Sequence, residues 1–211
     1  DEITISSKVN FYGVDTETCI IRRTVSGGGF LFVNDTSTSQ KSCNWENLTF
    51  RFNANVALIV RDTSAPDNGN TINFIKCRML DTFELVYGTI TALNFYECTV
   101  DAYATNFSTG ATIFNFYDSS ITLTHATNGE VLFKQLGGDT NGANLYIYRS
   151  TFVVLSASYA ALMDSVYGKV AIIRDSVVSG LRLSQASQSP LEVWSSRVTL
   201  YSTQALTLGT N

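Results

Sequence analysis

Ile72-Asn73-Phe74-Ile75-Lys76-Cys77-Arg78-Met79 is answered by Leu93-Asn94-Phe95-Tyr96-Glu97-Cys98-Thr99-Val100. Laid over one another, the octets agree in their apolar, polar and cysteine positions, and Cys77 and Cys98 stand 21 residues apart. Further copies run from Phe114 to Ile121, Leu145 to Phe152, Val170 to Val177 and Leu191 to Val198, with looser ones at Lys41 to Leu48 and around Val9. The last apolar residue of each copy marks a frame at Val9, Leu48, Met79, Val100, Ile121, Phe152, Val177 and Val198. Successive offsets are 39, 31, 21, 21, 31, 25 and 21. A basal period of 21 that is lengthened and never shortened is the mark of a solenoid with loops added at its corners.

Each octet is apolar at its first and third positions, small or polar at the sixth and apolar at the eighth. That pattern predicts a strand with one buried face, a tight bend and a second strand. Between octets lie further apolar runs, such as Val56 to Val60, Phe83 to Tyr87 and Ala160 to Met163, so a coil holds about three short strands. No apolar stripe of helical period competes. The expected fold is all-β: a single-domain right-handed parallel β-helix over residues 1–211, with about eight coils. At a strand spacing of roughly 4.8 Å those coils make a rod on the order of 38 Å long.

Charged residues are only 15% of the chain, and a coil clad in Ser, Thr, Asn and Tyr accounts for the deficit. The net charge of −4 argues against nucleic-acid binding, and no apolar run reaches membrane-spanning length. The start at Asp1 fits either a mature secreted chain or an excised piece. Cys19, Cys43, Cys77 and Cys98 lack metal-type spacing. Stacked Cys77 and Cys98 lie within the range a disulfide tolerates, but two buried free thiols are the favoured reading. The triple glycine Gly27 to Gly29 reads as a corner, since no phosphate-loop signature follows it. Sequons at Asn34, Asn47 and Asn106 carry little weight in so Asn-, Ser- and Thr-rich a chain.

Two insertions fall at one corner, Arg61 to Asn70 and Gly137 to Asn144, three coils apart. Loops on a rigid scaffold often carry function, which makes Asp62, Asp67, Asp139 and Asn141 candidate ligand contacts; the alternative is that such residues simply suit turns. The outward columns of the octets say more. The fourth position reads Ile75, Tyr96, Tyr117, Tyr148, Ile173 and Trp194, and the second reads Asn73, Asn94, Asn115, Tyr146, Ala171 and Glu192. Both columns are expected to face solvent on one sheet. Tyr96, Tyr117, Tyr148 and Trp194 would offer ring faces to sugar C–H surfaces, and Asn94 and Asn115 would offer amides to hydroxyls. The competing reading is equally physical: like side chains stack to stabilise a solenoid, or a neighbouring domain or subunit covers the strip. The fifth-position column Lys76, Glu97, Asp118, Arg149 and Arg174 mixes signs and reads as a solvated ion-pair ladder.

Catalytic residues are not expected. No acidic pair at a hydrolase's spacing lies on an octet face, and His125, the one histidine, follows a strand as a surface or turn residue would. Asp62, Asp67 and Asp139 match no EF-type calcium loop, so neither a metal nor a cofactor is expected.

The phrases Cys43-Asn44-Trp45-Glu46-Asn47-Leu48-Thr49-Phe50, Ile72-Asn73-Phe74-Ile75-Lys76-Cys77, Leu93-Asn94-Phe95-Tyr96-Glu97-Cys98 and Leu145-Tyr146-Ile147-Tyr148-Arg149-Ser150-Thr151-Phe152 resemble the coils of pectin-lyase-like proteins. Most of all they look like uncharacterised β-helix domains of surface lipoproteins from gut Bacteroidetes. The resemblance implies a secreted or cell-surface setting, with any lipid anchor outside this chain, and a link to glycan use. Its motifs specify a coil and no reaction: the polygalacturonase-type Asn-Thr-Asp, Asp-Asp, Gly-His-Gly and Arg-Ile-Lys segments are missing. Three functions follow as expectations. They are a non-catalytic module binding carbohydrate or another surface component, a polysaccharide lyase or glycoside hydrolase, and a structural repeat of an adhesin or phage tailspike.

Overall fold

The computed structural model describes residues 3–5, 10–23, 32–34, 42–61, 71–103, 108–124, 133–134, 144–155, 161–163, 171–183 and 191–200. All regular structure among them is β, and every strand pairing is parallel. The strands form two parallel sheets in a solenoid-like arrangement, the smaller pairing Ala161 with Arg182 and Met163 with Leu183. The candidate residues Asp62, Asp67, Asp139 and Asn141 in the two insertions lie outside the described residues, as do His125, the triple glycine and Asn106.

The repeat becomes register. Asn10–Tyr12 pairs with Ser42–Glu46, which pairs with Thr71–Ile75, and Ile72, Leu93, Phe114, Leu145, Ala171 and Leu191 then follow one above another. First and third positions point inward, as alternation requires: Phe74, Phe95 and Phe116 are fully buried. Like rings stack along this interior column, Phe74 on Phe95 at 5.3 Å and Phe95 on Phe116 at 4.9 Å between centroids. The eighth-position residues face them across the core, Phe50 meeting Phe74 edge-on at 5.9 Å and Phe152 meeting Phe116 at 5.4 Å.

Each bend is made by one residue in the left-handed region: Asn47, Lys76, Glu97, Asp118, Arg149, Asp175 and Ser195, all with φ between 45° and 54°. Left-handed backbone disfavours any residue with a Cβ, by about 1–2 kcal/mol for a regular helix. The compensation is an unbroken ladder through the corner. The Lys76, Glu97 and Asp118 N–H groups donate to the carbonyls of Tyr96, Tyr117 and Tyr148 one coil on, at 2.8, 3.0 and 3.1 Å.

Just past the bend, the sixth position carries a buried polar ladder. The Ser119 N–H donates to Ser150 Oγ at 3.0 Å, and the Ser150 N–H donates to Ser176 Oγ at 3.1 Å. Each hydroxyl in turn donates to the carbonyl two residues back, Ser150 to Tyr148 at 2.7 Å and Ser176 to Arg174 at 2.7 Å. Cys77 and Cys98 hold the same position as free, buried thiols, their Sγ atoms donating to the carbonyls of Trp45 at 3.2 Å and Phe74 at 3.3 Å.

Register corrects the sequence frame in three places. Ala171, not Val170, pairs with Leu145, so the inward residue is Ile173, and Val178 rather than Val177 fills the eighth position. The run Val170-Ala171-Ile172-Ile173 has no alternation to choose a frame; the bend at Asp175 and the small Ser176 decide it. Cys43 pairs with Ile72, which makes Phe50 the eighth residue and puts Leu48 where other coils carry Cys or Ser. Asn10 pairs with Asn44, so Asn10 holds a second position and its octet is split at the bend, while the marker Val9 itself lies outside the described residues. In the split, Asp15 Oδ1 accepts the Glu17 and Thr18 N–H groups at 2.8 Å each, and Glu17 pairs with Arg78. Val178 and Val198 are register partners only 20 residues apart, so the period is also shortened once.

Candidate functional site

Alternation that buries Phe95, Phe116 and Ile147 turns Tyr96, Tyr117 and Tyr148 outward on three consecutive coils. Their rings are half-buried and lie face to face, Tyr96 on Tyr117 at 5.3 Å and 9°, Tyr117 on Tyr148 at 5.0 Å and 4°. Tyr146, from the second column, lies parallel to Tyr148 at 6.4 Å. Stacking therefore takes up the ring faces that were expected to meet sugar, and the stack presents ring edges and hydroxyls instead. Burial raises the Tyr117 phenol pKa, and the neighbouring Tyr148 and Tyr96 phenols add to the rise.

Above Tyr148 the column continues with Arg174, which the frame error had put among the bend residues, and then Trp194. The Arg174 guanidinium carbon lies 5.6 Å from the Trp194 ring centroid, and Trp194 is 54% exposed. Below Tyr96 stand Ile75 and Glu46. The strip thus runs from an aliphatic and acidic end, through three phenols, to a cation on an open indole.

The asparagine column is a ladder rather than a row of free amides. Nδ2 of Asn73, Asn94 and Asn115 donates to Oδ1 of Asn44, Asn73 and Asn94 at 2.7, 2.7 and 2.6 Å. Asn94 is 7% exposed and spends one donor and one acceptor on its neighbours. Asn115, at the top, is half-buried, and the column passes from it to Tyr146, Ile172 and Glu192.

Along the bends, Lys76 and Glu97 approach to 3.8 Å. Arg149 grips Asp118 through Nε and Nη2 at 2.7 Å each, and that contact holds the Asp118 carboxyl below its ordinary range. The column continues with Asp175 in place of Arg174 and closes with Ser195. Both pairs are well exposed, so they decorate the surface more than they stabilise it.

Among the described residues no group of three or more His, Cys, Asp or Glu side chains is arranged to hold a metal ion, and no helix is long and apolar enough to cross a membrane. Comparison with protein-family models, curated proteins and solved structures finds no match. The pectin-lyase-like resemblance therefore rests on the coil phrases alone. Of the candidate residues, Tyr96, Tyr117, Tyr148 and Trp194 share one strip, with Asn94 and Asn115 beside it. Sequence reasoning missed Arg174, and the signal that finds it is the Asp-Ser bend pair after it, aligned with Asp118-Ser119.

Proposed function

We propose that this chain is a non-catalytic recognition module: a secreted or surface-displayed right-handed parallel β-helix of about eight coils and one domain, pectin-lyase-like in its coil. In this reading it binds carbohydrate or another surface component along the tyrosine strip. The observation that carries it is the unbroken outward column Tyr96, Tyr117, Tyr148, Arg174 and Trp194. Phenol hydroxyls and Arg174 supply hydrogen bonds, and the open side of Trp194 supplies an aromatic platform for a sugar ring beside them. A glycan array tests it: Tyr117→Ala, Tyr148→Ala and Trp194→Ala each weaken binding, and Tyr12→Ala, in the same column beyond Glu46 and Ile75, leaves it intact. Equal binding by all four variants sinks the reading.

The face-to-face ring geometry favours a second reading, in which the strip is a stabilising ladder of a structural module of adhesin or tailspike type. It expects no glycan binding, and for a tailspike a trimeric mass in solution. A lyase or hydrolase remains the enzymatic alternative, tested by release of unsaturated or reducing sugars from acidic polysaccharides.

A further inference from the structure

Four phenols on two adjacent columns, Tyr96, Tyr117, Tyr148 and Tyr146, lie within 5.0–6.4 Å of one another in a chain of ring contacts. The three fourth-position rings are half-buried, so each reaches solvent while its neighbour holds it in place. A tyrosyl radical formed on any of them has a second phenol at contact distance. Fixed neighbours raise the effective concentration of a bimolecular partner by orders of magnitude.

We propose that the Tyr96–Tyr117–Tyr148 stack is a site of oxidative tyrosine coupling, in which a peroxide-driven one-electron oxidant joins rings on successive coils into dityrosine. Two phenols each give up one electron to the oxidant and one proton to water. The two radicals form a carbon–carbon bond between positions ortho to the oxygens, and each ring regains aromaticity as its ortho hydrogen moves to the phenol oxygen. Two hydrogens leave in all, and one hydrogen peroxide becomes two waters. The parallel stack is the encounter geometry, and one ring swings edge-on at its solvent side to bond. The product adds a direct covalent tie across the sheet between coils that the backbone otherwise connects only by way of the full turn.

The test treats dilute purified protein with peroxidase and hydrogen peroxide, and reads dityrosine fluorescence, denaturing gels and peptide mass spectra. The expected product runs as a monomer and contains a cross-linked peptide pair, lighter by two hydrogens, that joins Tyr117 to Tyr148 or to Tyr96. Tyr117→Phe/Tyr148→Phe keeps the rings and their stacking, so it folds, and its dityrosine yield falls several-fold. Tyr12→Phe, which alters a 65% exposed tyrosine outside the stack, leaves the monomeric yield unchanged. An equal monomeric yield from the double variant, or a product confined to covalent dimers, overturns the proposal.

Discussion

Replacing Ser150 by alanine probes the ladder that binds the coils just past their bends. Its Oγ accepts the Ser119 N–H at 3.0 Å and donates to the Tyr148 carbonyl at 2.7 Å, and both serines are 4% exposed. Alanine leaves the Ser119 N–H buried without an acceptor, a loss of about 1–3 kcal/mol. The Tyr148 carbonyl keeps the Asp118 N–H at 3.1 Å, so the donated bond adds only about 0.5–1 kcal/mol. Together the change amounts to about 1.5–4 kcal/mol, or roughly a 3–16 °C drop in Tm for a chain of this size. Ser196 makes the same pair of bonds, to the Ser176 N–H at 3.0 Å and the Trp194 carbonyl at 2.6 Å, but it is half-exposed and water can replace its hydroxyl. Ser196→Ala should therefore lose less than about 1 kcal/mol. Urea unfolding with equal m-values reads the two variants directly. If Ser150→Ala and Ser196→Ala shift the midpoint alike, the hydroxyl ladder is not what secures these corners.

Phe95→Ala, which removes a fully buried ring stacked on both Phe74 and Phe116, should destabilise by about 3–5 kcal/mol in the same assay. Gly180→Ala should unfold at clearly lower urea, because φ is 77° there and a Cβ would lie 2.1 Å from the Val154 carbonyl oxygen. Burial pushes the Cys77 and Cys98 thiols up from 9.0 to about 11 and about 12. Their folded values exceed the unfolded ones, so the stability they contribute is complete below pH 9 and lost as pH climbs through 11 and 12. Urea midpoints should accordingly fall above pH 9, and less steeply in Cys77→Ser/Cys98→Ser. Native alkylation at neutral pH should modify Cys19, whose pKa is lowered by backbone hydrogen bonds at Asp15 and Val14, before Cys77 or Cys98; mass spectrometry gives the order. Arg149→Ala should let the Asp118 carboxyl titrate closer to its ordinary value, as NMR can follow.

The coil was legible because Phe74, Phe95 and Phe116 recur with Asn, Lys or Glu or Asp, and Cys or Ser at fixed places, and buried alternation tolerates little else. Frame failed where chemistry stopped alternating: four apolar residues before Arg174 fit either face, and a turn split the octet of Asn10 and Phe11. The tyrosine and asparagine columns were readable as columns, yet their use was not. Composition does not say whether Asn94 faces water or its own neighbours, because the answer depends on coil spacing meeting amide reach. Ring orientation is set the same way, by χ angles absent from the alphabet of residues. The serine ladder was the least visible, since a hydroxyl at the sixth position looks like any small residue until its backbone partners are placed.

The seven left-handed corner residues include a lysine, an arginine, a glutamate, two aspartates, an asparagine and a serine. Peptide groups close the hydrogen bonds at six of these points, so the side chains mounted there are interchangeable parts. Selection can rewrite the sequence of plus and minus signs along that edge without disturbing the coil underneath. The edge is thus a label on a constant body, and two chains with one architecture can be told apart by it.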